Sequence, residues 1–142
     1  MTRYVVDASV AVKWLVREPL SHQASLLLAT EVSLLAPDLL FAEAANALWA
    51  MKQRGDLEDD EFDEAVQTLR SAPVLVPSTL LQLVPAASRL AADLGHPIYD
   101  CFYLALAIQE KAPLITADRR FADRVRHHPY LAGNMTPLAD FR

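Results

Sequence analysis

Glycine and cysteine are scarce in this chain, and each scarcity removes a class of function. Three glycines leave no Gly-rich loop whose backbone N–H groups could cradle a phosphate, so dinucleotide fingerprints and Walker-type loops are absent. Nucleotide-cofactor enzymes of those kinds are set aside. Cys101 is the single cysteine, which excludes an intramolecular disulfide and any multi-cysteine zinc site. It reads as a small apolar residue in a buried helix. No uninterrupted apolar run approaches the roughly 18 residues that a membrane span requires. The opening Met1-Thr2-Arg3-Tyr4-Val5-Val6-Asp7 has too short an apolar run for a secretory segment. A cytoplasmic protein without a membrane partner is expected. Repeats and low-complexity tracts are also missing, and the only linker-like stretch is the tail from Asn134 to Arg142.

Positive charge is short overall, with a formal net charge of -5, but it is unevenly spread. Residues 1–110 carry 7 Lys and Arg against 15 Asp and Glu, while residues 111–142 carry 6 against 3. Arg119, Arg120, Arg124 and Arg126 are therefore candidates for phosphate contacts, with a solvated face of a terminal helix as the alternative. The acidic run Glu58 to Glu64 reads as an exposed helix start favoured by the helix dipole.

A chain of 142 residues is long enough for one domain, residues 1–142, with a core of its own. Its hydrophobic fraction of 53% and mean hydropathy of +0.15 are high for one soluble domain. Some apolar surface is expected to be covered by another chain. Trp14 and Trp49 are the candidate contact aromatics, with ordinary core packing as the alternative.

Short β-rich runs at Tyr4 to Val6, Ser33 to Ala36, Val74 to Val76 and Leu114 to Thr116 alternate with helical patterns. The helices expected are Val10 to Val16, Ser21 to Thr30, Leu39 to Arg54, Asp59 to Ser71, Thr79 to Leu94, Tyr99 to Glu110 and Arg119 to His127. Such alternation predicts an α/β fold with a mostly parallel sheet. Pro85 is expected to split the fifth helix, and Gly55 and Gly95 read as C-terminal caps.

Four carboxylates stand in apolar surroundings. Asp7 ends Tyr4-Val5-Val6, Glu43 lies inside Leu39-Leu40-Phe41-Ala42-Glu43-Ala44-Ala45, Asp100 is the only charge from Pro97 to Gln109, and Asp118 closes Leu114-Ile115-Thr116-Ala117. None has a basic residue at helix-pair spacing on its own apolar face. Singly, each has an ordinary reading: Asp7, Asp118 and Asp100 as helix caps, Glu43 as a buried hydrogen-bonding group. Jointly they share a position, since residues just after parallel strands and in first helical turns converge on one crevice. Two carboxylates about 4 Å apart repel by roughly 4 kcal/mol at an effective dielectric near 20, so four together call for a shared cation. Oxygen ligands without Cys or His point to Mg²⁺ or Mn²⁺. Ser9 and Thr116 could orient a carboxylate or water there. The histidines do not compete: His127 and His128 point apart, and His22 and His96 read as isolated surface or cap residues.

Val6-Asp7-Ala8-Ser9, Glu43 early in the third helix, Tyr99-Asp100-Cys101-Phe102-Tyr103-Leu104-Ala105-Leu106-Ala107 and Thr116-Ala117-Asp118-Arg119-Arg120-Phe121 together resemble the PIN-domain ribonucleases, and the size resembles their VapC-type toxins. The resemblance implies a three-layer α/β/α sandwich around a parallel sheet, a homodimer, cleavage of RNA as an endoribonuclease, and an inhibitory antitoxin partner. Asp7, Glu43, Asp100 and Asp118 would be the catalytic and metal-binding set, supported by Ser9 and Thr116, with Arg119 and Arg120 toward RNA. The residue match stops at Phe121, before Asp123. The competing reading is a receiver-like regulatory or protein-interaction domain that holds a metal without nuclease activity. It is disfavoured because Val74 to Val76 is followed by Pro77-Ser78, which supplies no phospho-accepting aspartate.

Overall fold

Five parallel strands, β1 (Thr2–Val6), β2 (Val32–Leu35), β3 (Val74–Leu75), β4 (Leu114–Thr116) and β5 (Met135–Pro137), form one sheet in the order β3-β2-β1-β4-β5. They belong to a computed structural model that describes residues 1–142. The helices are α1 (Ala8–Leu15), α2 (Ser21–Leu26), α3 (Leu39–Gln53), α4 (Asp59–Arg70), α5 (Leu80–Leu94), α6 (Ile98–Glu110) and α7 (Arg119–Arg126). From β1 the chain steps outward to β2 and β3, then returns past β1 to β4 and β5. Right-handed crossovers therefore put α1 to α4 on one face and α5 to α7 on the other, and α1 packs with α2, α3 and α4 while α5 packs on α6. The result is the expected α/β/α sandwich. The direction of winding reverses between β1 and β4, which opens a crevice beyond their carboxyl ends.

The core explains the most apolar helix. Cys101 to Ala107 of α6 are all buried, because this helix lies between the sheet and α5 and has almost no solvent face. Leu104 is fully buried in it. Leu104→Ala is expected to cost about 2–5 kcal/mol, read as a lower urea midpoint at unchanged m-value. In α4, the acidic first turn is exposed as expected, and the Glu58 backbone N–H donates to Glu61 Oε1 at 2.8 Å. Gly55 and Gly95 follow α3 and α5 with φ of +83° and +61°, the left-handed geometry of a C-terminal stop.

Three expectations are corrected. Pro85 does not split α5: Thr79 caps the helix start by accepting from the Gln82 N–H at 3.1 Å, and Pro85 rides inside the helix. Pro85 and Leu81 are both exposed, so the lost hydrogen bond falls on the solvent side, where water replaces it. The second helix stops at Leu26 rather than Thr30, as the Leu27 and Leu28 N–H groups bond three residues back and tighten the last turn. The tail is not a linker, since Met135–Pro137 pairs with β4 as an edge strand, a place where proline is tolerated.

Candidate active site

Asp7, Ser9, Glu43, Asp100 and Asp118 line one cleft of about 190 Å³ at the point where the strand order reverses. β1 delivers Asp7 and β4 delivers Asp118, each at the N-terminus of the following helix. Glu43 comes from the second turn of α3 and Asp100 from the first turn of α6. The capping readings of Asp7 and Asp118 hold as well, because Asp7 Oδ1 accepts from the Val10 N–H at 3.2 Å and Asp118 Oδ1 from the Phe121 N–H at 3.1 Å, whereas Asp100 is no cap: α6 begins after Pro97 and Asp100 stands inside its first turn. A cap and a site ligand are compatible, for a cap uses one oxygen and fixes the aim of the other.

Each acid has its own hydrogen-bond donor. Ser9 Oγ donates to Asp7 Oδ1 at 2.5 Å, and Thr116 Oγ1 donates to Asp7 Oδ2. The same two hydroxyls accept from the loop after β4, Ser9 Oγ from the Ala117 N–H at 2.9 Å and Thr116 Oγ1 from the Asp118 N–H at 3.1 Å. They thereby lock the ends of β1 and β4 together. Tyr103 Oη donates to Glu43 Oε1 at 2.5 Å. His96 Nε2 lies 2.6 Å from Asp100 Oδ2.

Burial and like charge act on Asp7 and Glu43 in the same direction. Asp7 is pushed up to about 7, first by burial and also by Asp100, against the pull of the Ser9 and Thr116 hydroxyls. Glu43 is raised by burial and by Asp100, with the Tyr103 hydrogen bond opposing. Tyr103 is pushed far above the usual phenol range by burial and by Glu43, so it remains a donor. Burial and Asp100 push Cys101 up to about 11, which keeps it a thiol and supports its reading as a core residue. Tyr103→Phe is expected to destabilise the fold by about 1 kcal/mol and to raise Glu43 further, measurable by denaturation and by carboxyl-edited NMR titration.

The donor chemistry fits a hard divalent cation: all-oxygen ligands from four elements, among which the charge of Asp100 already raises Asp7 and Glu43. As the side chains stand, no three carboxylate, imidazole or thiol groups are close enough to ligate one ion. Each acid is turned toward its own donor instead. The four acids nevertheless line one cleft, and rotation about side-chain bonds moves a carboxylate without any shift of the backbone.

One residue differs from its sequence reading. His96 is neither isolated nor at the surface: its side chain is 6% exposed and it is the basic partner of Asp100 at i,i+4 spacing. Arg124 is exposed, and its Nη1 donates to the Leu94 and Gly95 carbonyls, each at 3.1 Å. Arg126 pairs with Asp123 at 3.6 Å on the surface, while Arg119 and Arg120 are exposed in the first turn of α7 beside Asp118. Tyr103 had no sequence signal of its own, because a tyrosine in an apolar helix reads as core.

Comparison with known proteins agrees with this architecture. The PIN domain model matches residues 4–126. Ribonuclease VapC3 of Pyrobaculum aerophilum is 32% identical over 123 residues, covering 86% of this chain and 94% of that one. Among solved structures, VapBC2 from Rickettsia felis bound to a DNA fragment from the promoter superimposes with a TM-score of 0.64 at 16% identity, over 96% of this chain and 98% of that one. A toxin-antitoxin complex from Klebsiella pneumoniae gives 0.63 at 12% identity, over 95% and 97%.

Proposed function

Because the chain belongs to the PIN-domain family, we propose that it is a metal-dependent endoribonuclease and the toxin of a toxin–antitoxin pair, with residues 1–142 as a single domain. The observation that carries this reading is the convergence of Asp7, Glu43, Asp100 and Asp118 on one cleft at the reversal of strand order. A relative of 32% identity named as a ribonuclease supports it, as do toxin–antitoxin neighbours in fold. The receiver-like alternative loses its footing with membership of this family.

In this reading Asp7, Glu43, Asp100 and Asp118 hold Mg²⁺ or Mn²⁺, which when bound activates water and offsets the charge of a phosphodiester. The remaining work belongs to the protein. Ser9 and Thr116 fix both oxygens of Asp7 and tie β1 to β4. Tyr103 holds Glu43, and the backbone of α7 holds Asp118. Arg119 and Arg120 meet flanking RNA phosphates at the mouth of the cleft. The purified chain is expected to cut RNA with Mn²⁺, leaving 5′ phosphate and 3′ hydroxyl ends, and to stop on chelation. Cleavage that persists in EDTA would remove the metal from the reading.

Association is part of the proposal. Leu81 is 82% exposed, and Val84, Tyr99 and Ile108 are exposed with it on α5 and α6, an apolar surface that supports a homodimer. A separate cleft of about 690 Å³ is lined by Trp14, Leu15, Met51, Leu57 and Ala65 with charged residues among them, which supports docking of an antitoxin helix. The two tryptophans divide in behaviour: Trp14 donates through Nε1 to the Ala24 carbonyl at 2.8 Å and packs on the core, whereas Trp49 is 52% exposed. Sedimentation is expected to show a dimer at micromolar concentration; a clean 15.7 kDa monomer would sink that part. For the antitoxin, the expected result is a small protein encoded beside this chain that co-purifies with it and suppresses cleavage. No helix is long and apolar enough to cross a membrane, and a cytoplasmic site of action fits that reading.

A further inference from the structure

We propose that His96 is a positioning residue for Asp100, holding that carboxylate in the aim the metal site requires. The inference rests on the reading of Asp100 as a metal-binding residue. Among the four acids, Asp7 is held by two hydroxyls, Glu43 by a phenol and Asp118 by a backbone N–H. Asp100 has one hydrogen-bond partner, His96, with Nε2 at 2.6 Å from Oδ2. In the proposed role the carboxylate is ionised and can only accept, which requires the hydrogen on Nε2. That bond engages Oδ2 and leaves Oδ1 free.

The imidazole is itself held on several sides. Its ring packs on fully buried Phe121 at 4.8 Å between centroids, and its backbone N–H bonds to the Ala91 carbonyl at 3.2 Å. Just before it, the Arg124 guanidinium grips the Leu94 and Gly95 carbonyls, where the chain turns through the positive φ of Gly95. Phe121 and Arg124 both come from α7, and the Phe121 N–H also holds Asp118. One helix thus sets the aim of two of the four acids, Asp118 directly and Asp100 through His96. Partners that orient a ligand in this way are worth about 10–100-fold in metal affinity or activity when removed.

The test compares His96→Leu, which keeps the volume but not the donor, with His96→Gln, whose amide nitrogen reaches the place of Nε2. Mn²⁺ binding to the metal-free protein is measured by calorimetry, and kcat and KM for RNA are measured separately. His96→Leu is expected to bind Mn²⁺ about 10–100-fold more weakly and to lose kcat with KM unchanged, and His96→Gln to recover most of both. If His96→Leu does not fold, His96→Asn takes its place, since its shorter amide falls near Nδ1 and cannot replace the bond. A wild type that binds Mn²⁺ and cleaves RNA, with His96→Leu equal to it or His96→Gln no better than His96→Leu, overturns the positioning role alone. A wild type that binds no Mn²⁺ overturns both this role and the reading of the site.

Discussion

Asp7→Asn is expected to abolish RNA cleavage while making the metal-free protein more stable at pH 8. Loss of activity follows from the proposed role, because removing a direct ligand should cost more than the roughly 10–100-fold lost with an outer partner. The gain in stability has a separate cause. Burial and Asp100 push Asp7 up to about 7, so at pH 8 the folded protein holds a charge in a place that disfavours it. Asparagine keeps the shape, exchanges hydrogen bonds with Ser9 and Thr116, and carries no charge. At about 1.4 kcal/mol per pKa unit the relief is on the order of a few kcal/mol, or several degrees in melting temperature for a chain of this size. Scanning calorimetry in EDTA, alongside a cleavage assay in Mn²⁺, measures both. An Asp7→Asn protein that is less stable and still active would place Asp7 outside the site.

Divalent ions should reverse the same penalty. In metal-free protein, the raised Asp7 means that the folded state binds one more proton than the unfolded state between about pH 4 and pH 7. Stability from this group is therefore complete below the unfolded value and falls as pH rises toward 7, by up to about 1.4 kcal/mol per pH unit. Subtracting the Asp7→Asn curve from the wild-type curve isolates that slope from the other acids. Mn²⁺ or Mg²⁺ at a hundredfold excess over its dissociation constant should add about 2.7 kcal/mol. The gain should grow with pH, because the ligands must lose their protons. A wild-type melting curve unmoved by millimolar Mn²⁺ at pH 8 would end the shared-cation argument.

The four acids were found because each interrupts an apolar run, and that signal is local: Asp7 after β1, Asp118 after β4, Asp100 in a helix with hardly a polar face. Asp7 and Asp118 are helix caps and line the cleft at once, whereas Asp100 lies past the Pro97 cap of α6. His96 was missed for an equally local reason. Gly95 and Pro97 flank it between two helices, so its i,i+4 relation to Asp100 did not look like one helix face. Yet Pro97 caps α6 directly, and the turn before it folds back far enough for the imidazole to reach the carboxylate. Charge alone does not distinguish Arg124 from its neighbours, and only the fold brings its Nη1 onto the Leu94 and Gly95 carbonyls.

Periodicity and capping act within about one helical turn, and for that reason the sequence alone determined the α/β class, most element positions and the identity of the four acids that share the cleft. Pairing between distant residues was decided by the tertiary structure. Glu43 meets Tyr103 across 60 positions, and the Ala117 N–H meets Ser9 across 108. No local pattern encodes such contacts, because they depend on strand order and on which face each helix covers. Met135–Pro137 shows the same limit: three residues with a proline have little strand character until the exposed edge of β4 offers them a ladder.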